Sequence, residues 1–304
     1  MKRILKDKQL FLFDLDGVFY KGKETRIKIG GTRAVEALRA RGKRLYILTN
    51  NSTDSARTVC ARLREFDIPV KANEVLTSGL LTAEYLKDRF GSVSYYLVGE
   101  EGLDSELEAH GHRRTRGERA DFVVIGLDRD LTYEKLDHAA RVARNGAKIV
   151  ATHSSALYMY ESGPAMATGP LVKAVEYASG KRATVIGKPS PLMYSIALSR
   201  ARCTKDQAVM VGDQVDTDIA GANRAGIDAI LVGSETVVVD DPELTARPGG
   251  VPAAARARNS VPRERGGPRG RRGGVRGDRD APAPRGDPDG RAGSPVGRAA
   301  GRSS

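Results

Sequence analysis

The stretch Leu10-Phe11-Leu12-Phe13-Asp14-Leu15-Asp16-Gly17-Val18 decides how this 304-residue chain folds. Four apolar residues run into two carboxylates and a glycine. A short apolar run without polar alternation is the pattern of a strand covered on both faces, as in a parallel sheet. The carboxylates then sit at the strand's C-terminal end, where side chains two apart point the same way. Two converging carboxylates repel and are hard to leave unpaired, and a hard divalent cation relieves that. The plainer reading is a solvated acidic turn, because D-x-D is common by chance. An EF-hand loop fits poorly: Gly17 comes too early and the downstream ligands are missing.

On the C-terminal side, strands and helices alternate. Residues 32–41 place Ala34, Val35 and Leu38 at helical spacing, with Gly42 as a stop. Residues 44–48 form the next strand, ending in Thr49-Asn50-Asn51, and residues 55–66 another helix. Late in the chain, a helix over 192–201 precedes a strand over 208–211 that ends at Gly212-Asp213. Repeated βα units predict an α/β fold, a Rossmann-like parallel sheet with helices on both faces. Ligands of such sheets bind beyond the carboxyl ends of the strands, where the polar residues cluster here. Residues 92–182 have their own alternation: strands at 93–98, 122–126 and 148–152, helices at 133–145 and 170–179. Few carboxylates stand at those strand ends, so this region reads as a cap or lid.

Composition breaks near Arg247. From Pro248 to Ser304 there is no Leu, Ile, Met, Lys, Phe or Tyr. Counted from Arg247, the tail holds 14 Arg against 5 acidic residues, so nine of the formal net charge of +12 belong to it. Such a mixture buries too little apolar surface to offset chain entropy, and disorder is expected over 248–304. The predicted organisation is therefore 1–91 and 183–247 as two parts of one core, 92–182 as an inserted α/β cap, and 248–304 as a tail. Cys60 and Cys203 are far apart and form no CxxC pair, which fits thiols in a reducing compartment, the cytoplasm by default. No apolar run approaches membrane-spanning length, and the charged Lys6-Asp7-Lys8 argues against a signal peptide.

Three further segments carry chemistry. Thr49-Asn50-Asn51 offers a hydroxyl, amides and backbone N–H groups suited to phosphate oxygens, although such residues at a strand end usually make a turn. Gly187-Lys188-Pro189 sets a lysine before a helix, where a lone lysine is ordinarily solvated. In Gly212-Asp213-Gln214-Val215-Asp216-Thr217-Asp218, Asp213 and Asp218 bracket a helix start, and Asp216 reads as its N-cap.

Taken in order, these segments resemble the haloacid dehalogenase superfamily, in particular its subfamily IIA, the NagD-like and para-nitrophenyl-phosphatase-like proteins. The matching pieces are Asp14-Leu15-Asp16-Gly17-Val18 with Tyr20-Lys21-Gly22, Thr49-Asn50-Asn51-Ser52, Ile186-Gly187-Lys188-Pro189-Ser190-Pro191, and Val211-Gly212-Asp213 with Thr217-Asp218. Gly126-Leu127-Asp128 and Leu131-Thr132-Tyr133-Glu134-Lys135-Leu136 are also similar. The resemblance implies a Mg²⁺-dependent phosphatase of small-molecule phosphate monoesters. Asp14 would be the nucleophile forming an aspartyl-phosphate, and Asp16 the general acid and base. The metal would be held by Asp14, Asp213 and the backbone carbonyl of Asp16. Thr49, Asn50, Asn51 and Lys188 would bind phosphate, and Asp218 would orient Lys188 or a metal-bound water. Phosphoglycolate, glycerol phosphate, sugar phosphates, nucleotides and aryl phosphates are the substrate classes implied, with a homodimer through the cap.

Two places depart from the family pattern. In the cap, Thr152-His153-Ser154-Ser155 stands where relatives commonly read Thr-Asn-Pro-Asp, and Ala167-Thr168-Gly169-Pro170 replaces a Gly/Asn-rich turn; a single loop histidine such as His153 is more often polar surface than a substrate contact. At the other departure, relatives complete the core with a strand and helix. Here 236–239 is at most a remnant of that strand before the tail, whose GC-rich-codon residues match a gene read in a shifted frame. The competing reading of the whole chain is a nonenzymatic, nucleic-acid-associated protein acting through the basic tail. The absence of tail aromatics removes base stacking, and such a protein has no need of Asp14, Asp16, Lys188 and Asp213 in these settings.

Overall fold

The computed structural model describes Leu5 and residues 7–22, 27–160 and 162–233. The expected strand remnant at 236–239 and the tail at 248–304 lie outside the described residues. Leu10–Phe13 (β1) is buried along its whole length. Tyr20–Lys21 (β2) and Ile27–Lys28 (β3) pair antiparallel just after it. Arg44–Thr49 (β4) and Val75–Thr77 (β5) follow, with helices Thr32–Ala40 and Ala56–Glu65 between the strands. Val35 and Leu38 are the buried positions of the first helix. In the second, the Ser55 hydroxyl caps the start by accepting from Thr58 N (3.2 Å), one of the donors a helix terminus leaves unpaired.

The middle of the chain builds a separate sheet from Ser94–Val98 (β6), Arg113–Arg114 (β7), Phe122–Ile125 (β8) and Lys148–Ala151 (β9). Leu157–Tyr160 (β10) and Gly163–Met166 (β11) follow as a separate antiparallel hairpin. Ala183–Val185 (β12) then pairs with β9, so this sheet runs three residues past the division expected after Arg182. Ala208–Gly212 (β13) and Asp228–Leu231 (β14) return to the first sheet.

The first sheet has the order β14-β13-β1-β4-β5, and the second β12-β9-β8-β6-β7; every pairing in both is parallel. In the first, the chain leaves β1 toward β4 on one side and later returns to β13 on the other. That makes β1 the topological switch point, and the crevice at its C-terminal end is the place such a sheet leaves for a ligand. The predicted α/β fold with an inserted second sheet is the one observed.

Some elements gave no signal in the sequence. Helix Ser78–Phe90 buries Ser78, Gly79 and Thr82 among its apolar residues, so its packed face lacks the hydrophobic period that marks a helix. β5 and β12 have three residues each, too few to show any period.

The two sheets meet along a polar seam. Leu127 N donates to Ser52 Oγ (3.2 Å), Ala56 N to the buried Glu106 (2.8 Å) and Gly187 N to Thr152 O (2.7 Å). A Cβ on Gly102 would come within 2.2 Å of Thr53 O, so only glycine allows the second sheet's helix Glu101–Ala109 to approach this closely.

Candidate active site

β1 ends at Phe13, and the chain then turns. Asp14 N is still tied to Val211 O (2.9 Å), while Gly17 N donates to Tyr20 O (2.8 Å) and Phe19 N to Leu15 O (3.0 Å). Gly17 has φ +80°, a backbone region that glycine enters without steric cost. Asp14 and Asp16 are thus presented by a tight turn anchored on the buried Leu15, not by the strand alternation expected from sequence. Glycine is required there on a second count, because a Cβ would lie 1.9 Å from Asp213 Oδ2.

Lys188 is the centre of the site. It is 2 % exposed, and its Nζ lies 2.7 Å from Asp14 Oδ1 and 2.7 Å from Asp218 Oδ1. Lys188 is thus not the solvated surface residue that a lone lysine ordinarily is. Asp218, fully buried, also accepts from Gln214 N through Oδ2 (3.1 Å). Gly212 permits this, since a Cβ there would be 2.3 Å from Asp218 Oδ2. The wide helical turn Val215–Ile219 takes Gln214 as its cap, so Asp216 is not the N-cap; it lies exposed inside the turn.

Asp14, Asp213 and Asp218 each offer a carboxylate oxygen, and these lie within 4.8 Å of one another. Asp213 Oδ1 is buried and lacks a hydrogen-bond partner. Burial pushes the Asp14 carboxyl well above the usual carboxylate range, Asp218 and Asp16 add to that, and Lys188 opposes it. Burial likewise raises Asp213, with Asp218 adding. Burial works against the Lys188 ammonium, but Asp14 and Asp218 outweigh it and raise its pKa. One ammonium therefore faces an excess of crowded carboxylates. An orphaned, desolvated carboxylate oxygen beside two others fits a hard cation with oxygen ligands.

At the end of β4, the buried Thr49 accepts from Asn51 N through Oγ1 (3.1 Å). Asn50 Nδ2 donates to Lys188 O (2.9 Å), which brings Asn50 beside the lysine. Asn51 turns away. Its Oδ1 accepts from Thr53 N and Asp54 N (2.9 Å each), and its Nδ2 donates to Asp54 (2.9 Å). Asp54 is gripped in turn by both terminal nitrogens of the buried Arg62 (2.9 and 3.1 Å). Asn51's side chain is therefore a brace for its own loop, leaving its backbone N–H as its hold on that corner. Arg62 gave no signal in the sequence, where it is one of several basic residues on a surface helix.

In the second sheet, Asp128 is buried, paired with Lys135 and bonded by Gly99 N (3.1 Å). His153 is buried at 6 % exposure, which overturns its reading as polar surface.

Two parallel sheets joined by a seam, with a lysine clamped between carboxylates at the switch-point strand, define a hydrolase core carrying an inserted cap. A haloacid dehalogenase-like hydrolase family matches residues 11–113, and a HAD-hydrolase-like family matches residues 185–254. An acid sugar phosphatase of Staphylococcus epidermidis is 35% identical over 237 residues, covering 78% of this chain and 91% of the relative. The crystal structure of a 4-nitrophenylphosphatase from Thermotoga maritima matches with a TM-score of 0.70 and 35% identity, covering 76% of this chain and 88% of that one. A p-nitrophenyl phosphatase from Archaeoglobus fulgidus matches with a TM-score of 0.71 and 30% identity, covering 75% and 87%. The chain belongs to the haloacid dehalogenase-like hydrolases, in the capped subgroup of NagD and p-nitrophenyl phosphatase type, and is a phosphoric monoester hydrolase. Among the described residues, no helix is long and apolar enough to cross a membrane.

Proposed function

We propose that the chain hydrolyses small-molecule phosphate monoesters at Asp14, through an aspartyl-phosphate and with Mg²⁺. The observation that carries this reading is Lys188, held 2.7 Å from both Asp14 and Asp218 beside the orphaned Asp213 oxygen. A carboxylate of Asp14 attacks phosphorus as the bond from phosphorus to the ester oxygen breaks. Asp16 gives the leaving oxygen its proton, then takes one from water; the water oxygen displaces Asp14 and releases phosphate. Thr49, Asn50 and the backbone of Asn51 hold phosphate oxygens, while the Asn51 side chain keeps that loop in shape.

Asp14, Asp213 and the carbonyl of Asp16 are the residues that would hold Mg²⁺, which when bound offsets the charge of the transferring phosphoryl group. Asp218 fixes the Lys188 ammonium against Asp14. On this reading the catalytic groups occupy residues 1–91 together with the segment after the second sheet, through 247, and the cap lies between them. Sugar phosphates and aryl phosphates are the substrate classes to try first, since the relatives are an acid sugar phosphatase and p-nitrophenyl phosphatases.

The test is a Mg²⁺-dependent screen of phosphorylated metabolites with Asp14→Asn as the blank. Turnover in the wild type that vanishes in Asp14→Asn and on chelation supports the reading. Turnover that persists in Asp14→Asn overturns it.

A further inference from the structure

Gly187 is where the second sheet rests on the phosphate-binding corner. Its N–H donates to Thr152 O (2.7 Å). A Cβ at Gly187 would lie 2.5 Å from Asn50 Oδ1, 2.5 Å from Thr152 O and 3.1 Å from His153 Cβ. The loop 152–155 therefore lies on the peptide just ahead of Lys188, with Asn50 and His153 both packed against one glycine. Two segments that are unusual in sequence, 152–155 and 167–170, meet behind this contact.

Their side chains are linked by a buried hydrogen bond. His153 Nε2 and Thr168 Oγ1 are 2.9 Å apart, at 6 % and 0 % exposure. Ser155 N donates to His153 Nδ1 (3.3 Å). That assigns Nδ1 as the acceptor and Nε2–H as the donor to Thr168. Thr168 is the first residue of helix Thr168–Ser179. Beside it, Gly169 N donates to Ser155 O (2.9 Å), and a Cβ on Gly169 would be 2.6 Å from Ser154 O. The loop is thus pinned flat against the start of a helix. Its outward side carries Ser154, exposed, and Ser155, half-buried.

We propose that His153 and Thr168 are a specificity-determining pair whose hydrogen bond fixes loop 152–155 beside Gly187, so that its serine hydroxyls meet the leaving group of the phosphate ester. An in-line displacement at Asp14 sends the leaving oxygen to the opposite side of phosphorus, away from β1. A loop of small hydroxyl side chains there favours leaving groups that themselves carry hydroxyls, as in polyol and sugar phosphates, over a flat aryl group. This inference rests on hydrolysis at Asp14.

The experiment compares kcat/KM for a sugar phosphate with that for p-nitrophenyl phosphate in the wild type, Thr168→Val, Thr168→Ser, His153→Leu and the Thr168→Val/His153→Leu double variant. Losing the bond lowers the sugar-to-aryl ratio about tenfold, through KM for the sugar phosphate with kcat nearly unchanged. Thr168→Ser keeps the hydroxyl and holds the ratio within about twofold of wild type. The double variant goes no lower than either single change, because all three remove the same contact. If Thr168→Val does not fold, His153→Leu against Thr168→Ser gives the same comparison. A ratio that stays constant while both substrates lose activity together, or while neither does, overturns the pair's role. Failure of the underlying reading shows separately, as wild-type turnover that survives Asp14→Asn.

Discussion

The two sheets handle buried charge in opposite ways. At the C-terminal ends of β1 and β13, Asp14, Asp213 and Asp218 crowd around one ammonium, and a buried oxygen of Asp213 has no partner. At the ends of the cap strands, Asp128 has Lys135 and Gly99 N, and His153 has Thr168. A satisfied polar group rigidifies what surrounds it. An unsatisfied one costs on the order of 1–3 kcal/mol and persists where something else is to bind. The same fold plan, used twice in one chain, thus yields crowded carboxylates in one copy and paired polar groups in the other.

The largest effect expected from breaking this contrast is at Asp14, the proposed nucleophile. Asp14→Asn keeps the side chain's size and lowers kcat by about 10⁴-fold or more, as removal of a covalent catalyst does; a steady-state assay with Mg²⁺ reads it directly. Replacing the counter-charge comes next. Lys188→Met leaves Asp14 and Asp218 buried without their ammonium, and stability measured by urea unfolding in a chelator drops by about 3 kcal/mol. Saturating Mg²⁺ restores part of that loss if the carboxylates bind the ion.

Gly17→Ala sharpens the metal side of the comparison. Its Cβ would meet Asp213 Oδ2 at 1.9 Å, at φ +80°, so Asp213 has to move. The Mg²⁺ concentration for half-maximal activity rises about tenfold, while circular dichroism stays that of the wild type. In the cap, Asp128→Asn breaks an ion pair that is only partly desolvated, since Lys135 is 24% exposed. It costs about 1–2 kcal/mol of stability and leaves kcat for p-nitrophenyl phosphate within about twofold. A large fall in kcat there would erase the distinction between the two sheets.

The smallest effect is a pH dependence at the N-terminal ends of β6 and β8. Asp121 accepts from Ser94 N and Oγ at 2.7 Å each, and these bonds hold its carboxyl below the ordinary 3.8. A depressed folded-state pKa stabilises the fold above the unfolded value and loses that contribution as pH falls through the folded one. The urea midpoint of the wild type therefore falls more than that of Asp121→Asn as pH drops from about 5 to about 3.

Much of this was legible in the chain alone. The apolar run into Asp14, the βα alternation and the order of Thr49, Lys188 and Asp213 each leave a mark in sequence. The reason is that a two-sided buried strand must be continuously apolar and a strand end must be polar. Helix Ser78–Phe90 left no such mark, because it buries the unbroken run from Ser78 to Ala83, in which Ser78, Gly79 and Thr82 interrupt the leucines and blur the helical period. Arg62 was equally silent. Its partner Asp54 lies in the loop just before the helix, and the pattern within the helix does not record that.

By itself, the sequence determined the α/β plan, the inserted second sheet and which carboxylates and lysine stand at strand ends, since those follow from period and polarity along the chain. Only the tertiary structure decided that Asp14 and Asp16 owe their placement to a glycine-centred turn, that Asn51 braces its loop, that Lys188 is clamped between two aspartates, and that His153 is buried against Thr168. The Lys188 clamp and the His153 contact depend on segments separate in sequence approaching within hydrogen-bonding distance, which packing sets; the other two are local turns whose side-chain bonds no periodicity records.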